Sequence, residues 1–140
     1  KNRTKAKLSL YNSLAYNNAV YVSGDYTGNR VEYAPRIIER CGFNYWLNGF
    51  TLNAQYSYQG FAYGDATNTA SDPSAETGII PAYHVMDIST SYKFKNCIIH
   101  FGVNNFTNQK YFTLRTSEYP GPGIIPVNGI MLYGGLTITL

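Results

Sequence analysis

The sequence has few charged residues and no long hydrophobic run. Lys, Arg, Asp and Glu make up 14% of its 140 residues, whereas a soluble domain carries about 25%. No apolar stretch approaches the roughly 18 residues that a membrane-spanning helix requires. A helical membrane protein is therefore excluded, and the surface of an ordinary soluble domain is not favoured.

Cysteine and metal-ligand patterns are also scarce. The two cysteines, Cys41 and Cys97, show neither a CxxC spacing nor paired histidines, so a zinc site or a redox pair is not expected. His84, Asp87 and His100 would need a further convergent group to form a metal or acid–base site. We therefore expect no metal, no cofactor and no enzymatic activity.

The basic residues do not indicate nucleic-acid binding. The formal net charge is +3, and four of the eleven basic residues lie in the segment 1–7. This segment lacks the interleaved aromatic side chains of a nucleic-acid-binding patch. It is also not followed by the apolar region of a signal peptide, so we expect the beginning of an exported protein to be missing.

What the sequence does contain is a regular alternation of apolar and polar residues. In the last eleven residues, even positions such as Leu132, Leu136 and Ile138 are apolar, and most odd positions are polar or small. A period of two predicts a β-strand with one apolar and one polar face. Such a strand at an open edge invites aggregation, and a transmembrane barrel avoids this by pairing it and turning its apolar face to lipid.

The same alternation predicts five further strands, and no segment has a convincing helical period. The predicted strands cover Lys7–Ser23, Ile37–Leu47, Phe50–Gln59, Met86–Phe94 and a segment that begins at Ile99. The chain is therefore predicted to be all-β, with six antiparallel strands in a meander.

Short and long connections alternate between the predicted strands. Asn48–Gly49 and Lys95–Asn96 form tight turns, and Asn-Gly is the strongest hairpin dipeptide. The long connections are residues 25–36, 64–83 and 116–128. Outer-membrane barrels have short periplasmic turns and long extracellular loops, so the long connections are predicted to lie on the extracellular side.

Alternation alone leaves a soluble β-sandwich open, because each sheet of a sandwich also has one apolar and one polar face. The aromatic residues favour a membrane barrel, since Tyr45, Phe50, Tyr92 and Phe94 lie on apolar faces beside the short turns, as in an interfacial girdle. Six strands cannot close such a barrel. We therefore expect a fragment or one subunit of an assembly, whose open strand edges allow the isolated piece to oligomerise.

Four segments resemble motifs of TonB-dependent outer-membrane receptors. Gly28–Arg36 is similar to a GN-x-V-x-x-A/V-P strand entry, and Ile80–Asp87 to an IPAY-x-V-x-D segment. Gly102–Tyr111 resembles a G-V-x-N-L-F-D-x-x-Y strand, and Tyr119–Pro126 resembles a YPGPGI-x-P loop of iron(III)-dicitrate-type siderophore receptors. The four segments follow the family's order and extend over nearly the whole chain.

The resemblance implies a 22-stranded transmembrane β-barrel, of which residues 1–140 are the last six strands without the N-terminal plug domain. Receptors of this kind lie in the bacterial outer membrane, contact lipid and lipopolysaccharide, and import a ferric siderophore or ferric citrate with energy from TonB. The part that contacts TonB is missing, so the fragment alone is expected to be inactive. A passive porin-like barrel and a soluble β-sandwich binding module are the alternatives.

Candidate ligand-binding residues lie in the long loops, where arginine and tyrosine suit carboxylate-rich or catecholate chelates. They are Arg30, Tyr33, Arg36, Arg115, Glu118 and Tyr119. The alternative is that these residues order the loops or meet lipopolysaccharide phosphates. Inward-facing candidates for contact with a plug are Arg40, Asp87, Lys93 and His100.

Three features depart from the family pattern or from the alternation. The family often ends on Phe, whereas this chain ends on Leu140, which bears on assembly and not on the fold. The alternation breaks at Asn104 and Asn105, which predicts a β-bulge that flips the register. Glu39 has lipid-side parity, and we expect it at headgroup level near the extracellular rim.

Overall fold

The computed structural model describes residues 5–118 and 121–139. The expectations for Tyr119 and Leu140 therefore lie outside the described residues. All regular secondary structure in the described part of the chain is β-strand. In these residues there is no helix long and apolar enough to cross a membrane.

The strands form one large sheet and two small hairpins. They are β1 (Lys7–Tyr16), β2 (Ile37–Leu47), β3 (Phe50–Gln59), β4 (Ala62–Tyr63), β5 (Ile79–Ile80), β6 (Tyr83–Phe94), β7 (Cys97–Asn104), β8 (Phe112–Thr116), β9 (Gly123–Pro126) and β10 (Met131–Ile138). The six-stranded sheet has the order β1-β2-β3-β6-β7-β10, and β4 pairs with β5 and β8 with β9. Every pairing is antiparallel, so the predicted all-β meander is confirmed; the 22-strand count is not tested by six strands.

The first strand is shorter than predicted: it ends at Tyr16, so the predicted end at Ser23 was wrong. Strand β1 ends at Tyr16, which pairs with Ile37, the first residue of β2. Beyond this point β1 has no neighbouring strand with which to continue the ladder. The chain instead folds back on itself, where Val20 bridges Arg30 and the amide of Tyr21 donates to the carbonyl of Asn29 at 2.9 Å.

The predicted irregularity at Asn104 and Asn105 is present, but it ends the strand. Pairing of β6 with β7 is regular as far as Ile88 and Val103. Beyond it, the Phe106 amide donates to the Met86 carbonyl, a partner that regular pairing would give to Asn105. Asn105 adopts a left-handed φ of 50°, as the extra residue of a bulge does. The last long connection therefore begins at residue 105 and not at 116, and β8 is a separate hairpin strand instead of a continuation of β7.

The two faces of the large sheet differ in polarity, and the apolar face is uncovered. Leu10 is 74% exposed and Leu136 is 62% exposed, at opposite edges of the sheet. Among the described residues, the buried hydrophobic side chains are Ala62 and Ile80, both in the small β4–β5 hairpin. The β-sandwich alternative requires a second sheet packed on this face, and no such layer is present among the residues described.

The position of Glu39 marks one boundary of the apolar face. Glu39 lies on the outer face beside Leu14 and Tyr58, and its Oε1 accepts a hydrogen bond from Asn12 Nδ2 at 2.9 Å. From Tyr58 to Phe50, beside the short turn, β3 advances by eight residues, which is about 27 Å along the strand. A tilt of about 40° reduces this to roughly 20 Å, close to the apolar band of about 25 Å in outer-membrane barrels. Glu39 thus lies near the long-loop end of β2, and its position at headgroup level stays a prediction.

Two tyrosines lie over glycines on the polar inner face. Tyr11 of β1 is paired with Gly42 of β2, and Tyr133 of β10 is paired with Gly102 of β7. A methyl group on either glycine would contact the ring of its paired tyrosine. The rings therefore occupy the space that a side chain at each glycine would fill, a known device for protecting glycine in a sheet.

Candidate functional site

The three long loops contact one another on a single rim of the sheet. We call them the first loop (residues 17–36), the second loop (60–82) and the third loop (105–130). The first and second loops are joined through Asn68, whose side-chain amide pairs with the backbone of Arg30 as a residue of a neighbouring strand would. Its Oδ1 accepts from the Arg30 amide and its Nδ2 donates to the Arg30 carbonyl, both at 2.8 Å.

The Arg30 side chain is also used within this contact. Its guanidinium carbon lies 4.8 Å from the ring centre of Phe61 and 5.7 Å from that of Tyr63. One of its nitrogens donates to the carbonyl of Ala34 at 3.4 Å. Stacking of a guanidinium on aromatic rings stabilises the contact by about 0.5–2 kcal/mol. Arg30 therefore braces the first loop against the second.

Arg115 links the third loop to the second. Its two terminal nitrogens donate to the carbonyls of Ala75 and Ile79 at 2.6 and 2.8 Å, and its guanidinium lies over the Phe112 ring at 5.1 Å. Tyr33 of the first loop adds a hydrogen bond from its hydroxyl to the Arg115 carbonyl at 3.3 Å. Arg115 is thus the point at which all three loops meet.

The predicted ligand-binding residues therefore divide into two groups. Arg30, Tyr33 and Arg115 are brought together, but as cross-links between loops. The exposed side chain of Arg36 instead lines a shallow cavity of about 210 Å³ with Ile37, Tyr58 and Phe61, among others. Glu118 is exposed, and its amide donates to Thr116 Oγ1 at 3.1 Å. Of these residues, the structure leaves the side chains of Arg36 and Glu118 open to a ligand.

The second loop is organised around Asp65, which sequence reasoning did not single out. The carboxylate of Asp65 accepts from the hydroxyl of Thr67, from the amide and hydroxyl of Thr69 at 3.2 and 3.1 Å and from the Gly78 amide at 3.3 Å. Partial burial raises the pKa of Asp65, but these hydrogen bonds to the ionised form outweigh burial, and the net pKa is lowered. An Asp four residues before a Thr is only a weak sequence signal for such a turn.

Acid is expected to loosen the second loop. Because the folded-state pKa of Asp65 is lowered, its stabilisation is present above the unfolded-state pKa and is lost as pH falls through the folded value. Amide hydrogen exchange at Thr69 and Gly78, corrected for the intrinsic rate, should accelerate as the pH falls through and below the ordinary pKa of an aspartate. The Asp65→Asn variant should show that faster exchange already at neutral pH. Equal exchange in the two proteins at neutral pH would contradict the assignment.

Asn105 joins the end of β7 to the third loop. It is 4% exposed, and its Nδ2 donates to the carbonyls of Gln109 and Asn128 at 2.9 and 3.3 Å. Its Oδ1 accepts from the Gln109 amide at 2.8 Å, and its own amide donates to Asp87 Oδ1 at 2.8 Å. All four bonds depend on the left-handed backbone at Asn105, so this residue holds the third loop over the inner face.

Replacing Asn105 with alanine is expected to destabilise the folded protein by about 2–3 kcal/mol, because buried amide and carbonyl groups lose their partners and alanine disfavours φ near 50°. The Asn105→Gly variant should recover only the backbone part. Asn48 has the same φ of 50° in an exposed turn, so Asn48→Ala is the matched control and should cost about 1 kcal/mol. Urea unfolding in lipid vesicles measures all three, and equal losses for Asn105→Ala and Asn48→Ala would refute the role of the side chain.

The four predicted plug-facing residues, Arg40, Asp87, Lys93 and His100, lie on the inner face. Register places Arg40 between Ser13 and Ser57, and His100 beside Ser91. Asp87 lines a polar groove of about 280 Å³ on this face. The other polar residues of the groove are Tyr11, Asn44, Asn53, Gln55, Ser89 and Tyr133.

The groove is hydrogen-bonded but open. The predicted inward-facing parity of Asp87 is confirmed by the strand register, whereas contact with a plug stays a prediction. Tyr11 Oη donates to Gln55 Oε1 at 3.0 Å, and Asn53 Nδ2 donates to Ser89 Oγ at 3.3 Å. Amide and hydroxyl groups on a sheet face require water or a polar partner. In the described residues there is no group of three or more His, Cys, Asp or Glu side chains that could hold a metal ion.

The features described above define the class of protein. A single antiparallel layer with an uncovered apolar face, short turns at one rim and braced loops at the other is the wall of an outer-membrane β-barrel. The chain belongs to the TonB dependent receptor-like β-barrel family, whose sequence model matches residues 4–106. The predicted membership and the location in the bacterial outer membrane are thereby confirmed, and the family is one of receptors and transporters.

Solved structures agree with this assignment. The ferric citrate transporter FecA in its unliganded form is 29% identical, with a TM-score of 0.84 over 93% of this chain and 21% of its own. The siderophore receptor PiuA from Acinetobacter baumannii is 22% identical, with a TM-score of 0.71 over 94% of this chain and 19% of its own. A ferric enterobactin receptor mutant from Pseudomonas aeruginosa in complex with enterobactin is 17% identical, with a TM-score of 0.69 over 94% and 20%.

The last two likenesses concern the fold alone. The chain spans about a fifth of the length of each of these receptors. What it contains is one part of a barrel wall together with three of the loops above it.

Proposed function

We propose that this chain is part of a TonB-dependent transporter that imports a ferric chelate, either ferric citrate or a ferric siderophore, and that it is not an enzyme. The observation that carries the proposal is the match to FecA, at 29% identity and a TM-score of 0.84 over 93% of the chain. Ferric citrate is accordingly the first ligand to test. The braced loops support the proposal, because a receptor needs a rigid outer rim to position a ligand.

Residues 1–140 supply six strands of the wall, which we take to be the last six of a 22-stranded barrel. The plug domain and the part that contacts TonB are expected in the remainder of the transporter. The fragment alone is therefore expected to transport nothing. Its two sheet edges, β1 and β10, have unpaired backbone groups, so the isolated segment should oligomerise through them.

Ligand contact is assigned to residues whose side chains are not used as braces. These are Arg36 and Glu118. Tyr119 lies outside the described residues and stays a candidate on its residue type. Arginine binds carboxylates through paired hydrogen bonds, which suits citrate. Arg30, Tyr33 and Arg115 act indirectly by fixing the loops. Arg36 also lies beside Tyr58 and Phe61 near the outer wall, where lipid and lipopolysaccharide phosphates are the competing partners.

The inner face is assigned to the plug. The groove between Tyr11 and Tyr133 is polar, so it suits a hydrogen-bonded protein surface better than an apolar one. Asp87 supplies a negative charge in the groove, and Arg40, Lys93 and His100 lie elsewhere on the same face. A passive porin-like barrel would leave this face to water and would work without TonB.

Uptake of radioactive iron tests the proposal. The complete outer-membrane protein that contains this chain is expressed in cells that lack their own ferric-chelate receptors, and uptake of ferric citrate and ferric enterobactin is measured with and without TonB. TonB-dependent uptake of one chelate is expected. Uptake that persists without TonB would favour the porin-like alternative, and recovery of the protein in the soluble fraction would contradict the membrane assignment altogether.

A further inference from the structure

Charge is distributed unevenly between the two rims of the sheet. The short-turn rim, which comprises the start of β1 and the turns 47–50 and 94–97, carries Lys5, Lys7, Lys93 and Lys95. Register brings these lysines to the same end, because Lys7 pairs with Trp46 and Trp46 with Thr51, while Thr51 pairs with Ser91, two residues before Lys93. The sequence adds Lys1 and Arg3 just before this rim.

No acidic residue offsets this charge. All eight are distant from the short-turn rim in the sequence, namely Asp25, Glu32, Glu39, Asp65, Asp72, Glu76, Asp87 and Glu118. Along β6, Asp87 is six residues from Lys93, which corresponds to about 20 Å. The Debye length at physiological ionic strength is about 8 Å. The short-turn rim therefore has a surplus of basic over acidic side chains.

Exposed aromatic side chains accompany the lysines. Lys95 Nζ lies 5.5 Å from the ring centre of Phe94, and Phe94 is 59% exposed on the outer face. Tyr92, on the same face of β6, is 48% exposed. Aromatic rings that continue an apolar wall, with lysine at its end, are typical of the level of lipid headgroups. On the inner side of the rim, Lys7 Nζ lies 5.3 Å from the Trp46 ring.

We propose that the short-turn rim binds anionic phospholipid headgroups of the periplasmic leaflet. Lys95 contacts the phosphates, Phe94 and Tyr92 lie against the upper acyl chains, and Lys5, Lys7 and Lys93 strengthen the local positive potential. The occupant is a lipid and not an acidic peptide, because the rim continues the lipid-facing wall without interruption. Anionic headgroups match its charge, and each lysine near such a surface favours binding roughly fivefold.

Native mass spectrometry of the complete detergent-solubilised protein tests the proposal. The protein is titrated separately with dioleoylphosphatidylglycerol and with dioleoylphosphatidylcholine, at low and at high ionic strength. We expect tighter retention of phosphatidylglycerol, by roughly fivefold or more, the contribution of one lysine near an anionic surface, and loss of that preference at high salt. Replacing all four lysines with glutamine should abolish the preference, whereas replacing them with arginine should preserve it. Lys110→Gln, at the opposite rim, should have no effect.

Three results would overturn the proposal: equal retention of the two lipids, a preference that survives in the glutamine variant, or displacement of phosphatidylglycerol by a polyglutamate peptide at equal concentration. The last result would assign the rim to an acidic protein partner. Inorganic phosphate alone should not compete. If the fourfold glutamine variant does not assemble, Lys95→Gln compared with Lys95→Arg provides the same test, with a loss of roughly fivefold expected for glutamine only.

Discussion

Alanine at Gly102 is expected to lower the free energy of unfolding by about 1–3 kcal/mol, the usual cost of overpacking a close-fitting site. A Cβ at this position would overlap Cζ and Oη of Tyr133 on the paired strand. Tyr133 would have to swing away from the sheet, and the contact between β7 and β10 would lose the area that its ring covers. Within the six-stranded sheet β10 pairs with β7, so the change acts on the contact between these two strands.

Gly135 provides a matched control for this prediction. It lies two residues after Tyr133 on the same strand, and a Cβ there would meet nothing within 4 Å. Gly135→Ala should therefore leave the midpoint of urea unfolding nearly unchanged. The double variant Gly102→Ala, Tyr133→Ala removes the overlap, so its loss should be smaller than the sum of the two single losses. Identical midpoints for Gly102→Ala and Gly135→Ala would show that the ring is free to move at no cost.

The Tyr11 and Gly42 pair repeats the arrangement at the other edge strand. A Cβ on Gly42 would overlap the backbone oxygen of Ala54 and come within 2.7 Å of Tyr11 Oη, so the backbone of β3 excludes a side chain here together with the ring. The same hydroxyl donates to Gln55, so the ring is held at both ends. The two tyrosines thus border the polar groove from opposite sides, and the shape of the proposed plug-facing surface depends on two glycines that have no side chain of their own.

Strand positions could be predicted where the residue pattern and the turn chemistry agree. The bounds of β2, Ile37–Leu47, follow from a largely regular alternation that ends at the Asn48–Gly49 turn. The end of β1 could not be predicted, because residues 17–23 continue the alternation while the sheet supplies no partner strand beyond Tyr16. Alternation identifies the apolar and the polar face of a strand, whereas the length of the strand depends on how far a neighbouring strand pairs with it.

The loops were harder to predict for a related physical reason. Strands β4 and β5 have two residues each, too few for any period to be visible, and they form because the β4–β5 hairpin buries Ala62 and Ile80. The residue types at Arg30 and Arg115 suggested a ligand, yet a guanidinium has five N–H donors and can also donate to backbone carbonyls of its own chain. Only the three-dimensional contacts show that both side chains are already occupied within the loops.

Removing the Arg115 side chain is expected to have the largest effect in the loops. Arg115→Ala deprives the carbonyls of Ala75 and Ile79 of their donors, and hydrogen bonds to a charged group contribute about 1.5–3 kcal/mol each. The second and third loops should separate, which raises the rate of proteolytic cleavage within residues 64–78 by tenfold or more, or roughly 1.4 kcal/mol. Arg115→Lys keeps the charge but lacks the fork that reaches both carbonyls, so it should recover only part of the protection.

The proteolysis experiment also distinguishes a residue that holds the loops together from one that contacts the ligand, provided that the Arg36→Ala variant is included. Arg36 has an exposed side chain, so its removal should leave cleavage of the second loop unchanged while weakening ferric-chelate binding to the complete protein. Arg115→Ala should increase cleavage of the second loop and also weaken ferric-chelate binding. The two effects should go together, because ordering loosened loops on binding costs free energy and so lowers the affinity. If Arg115→Ala instead weakens binding with no change in cleavage, Arg115 contacts the ligand directly and the other contacts between the loops, among them those of Asn68 and Arg30, are enough to hold them together.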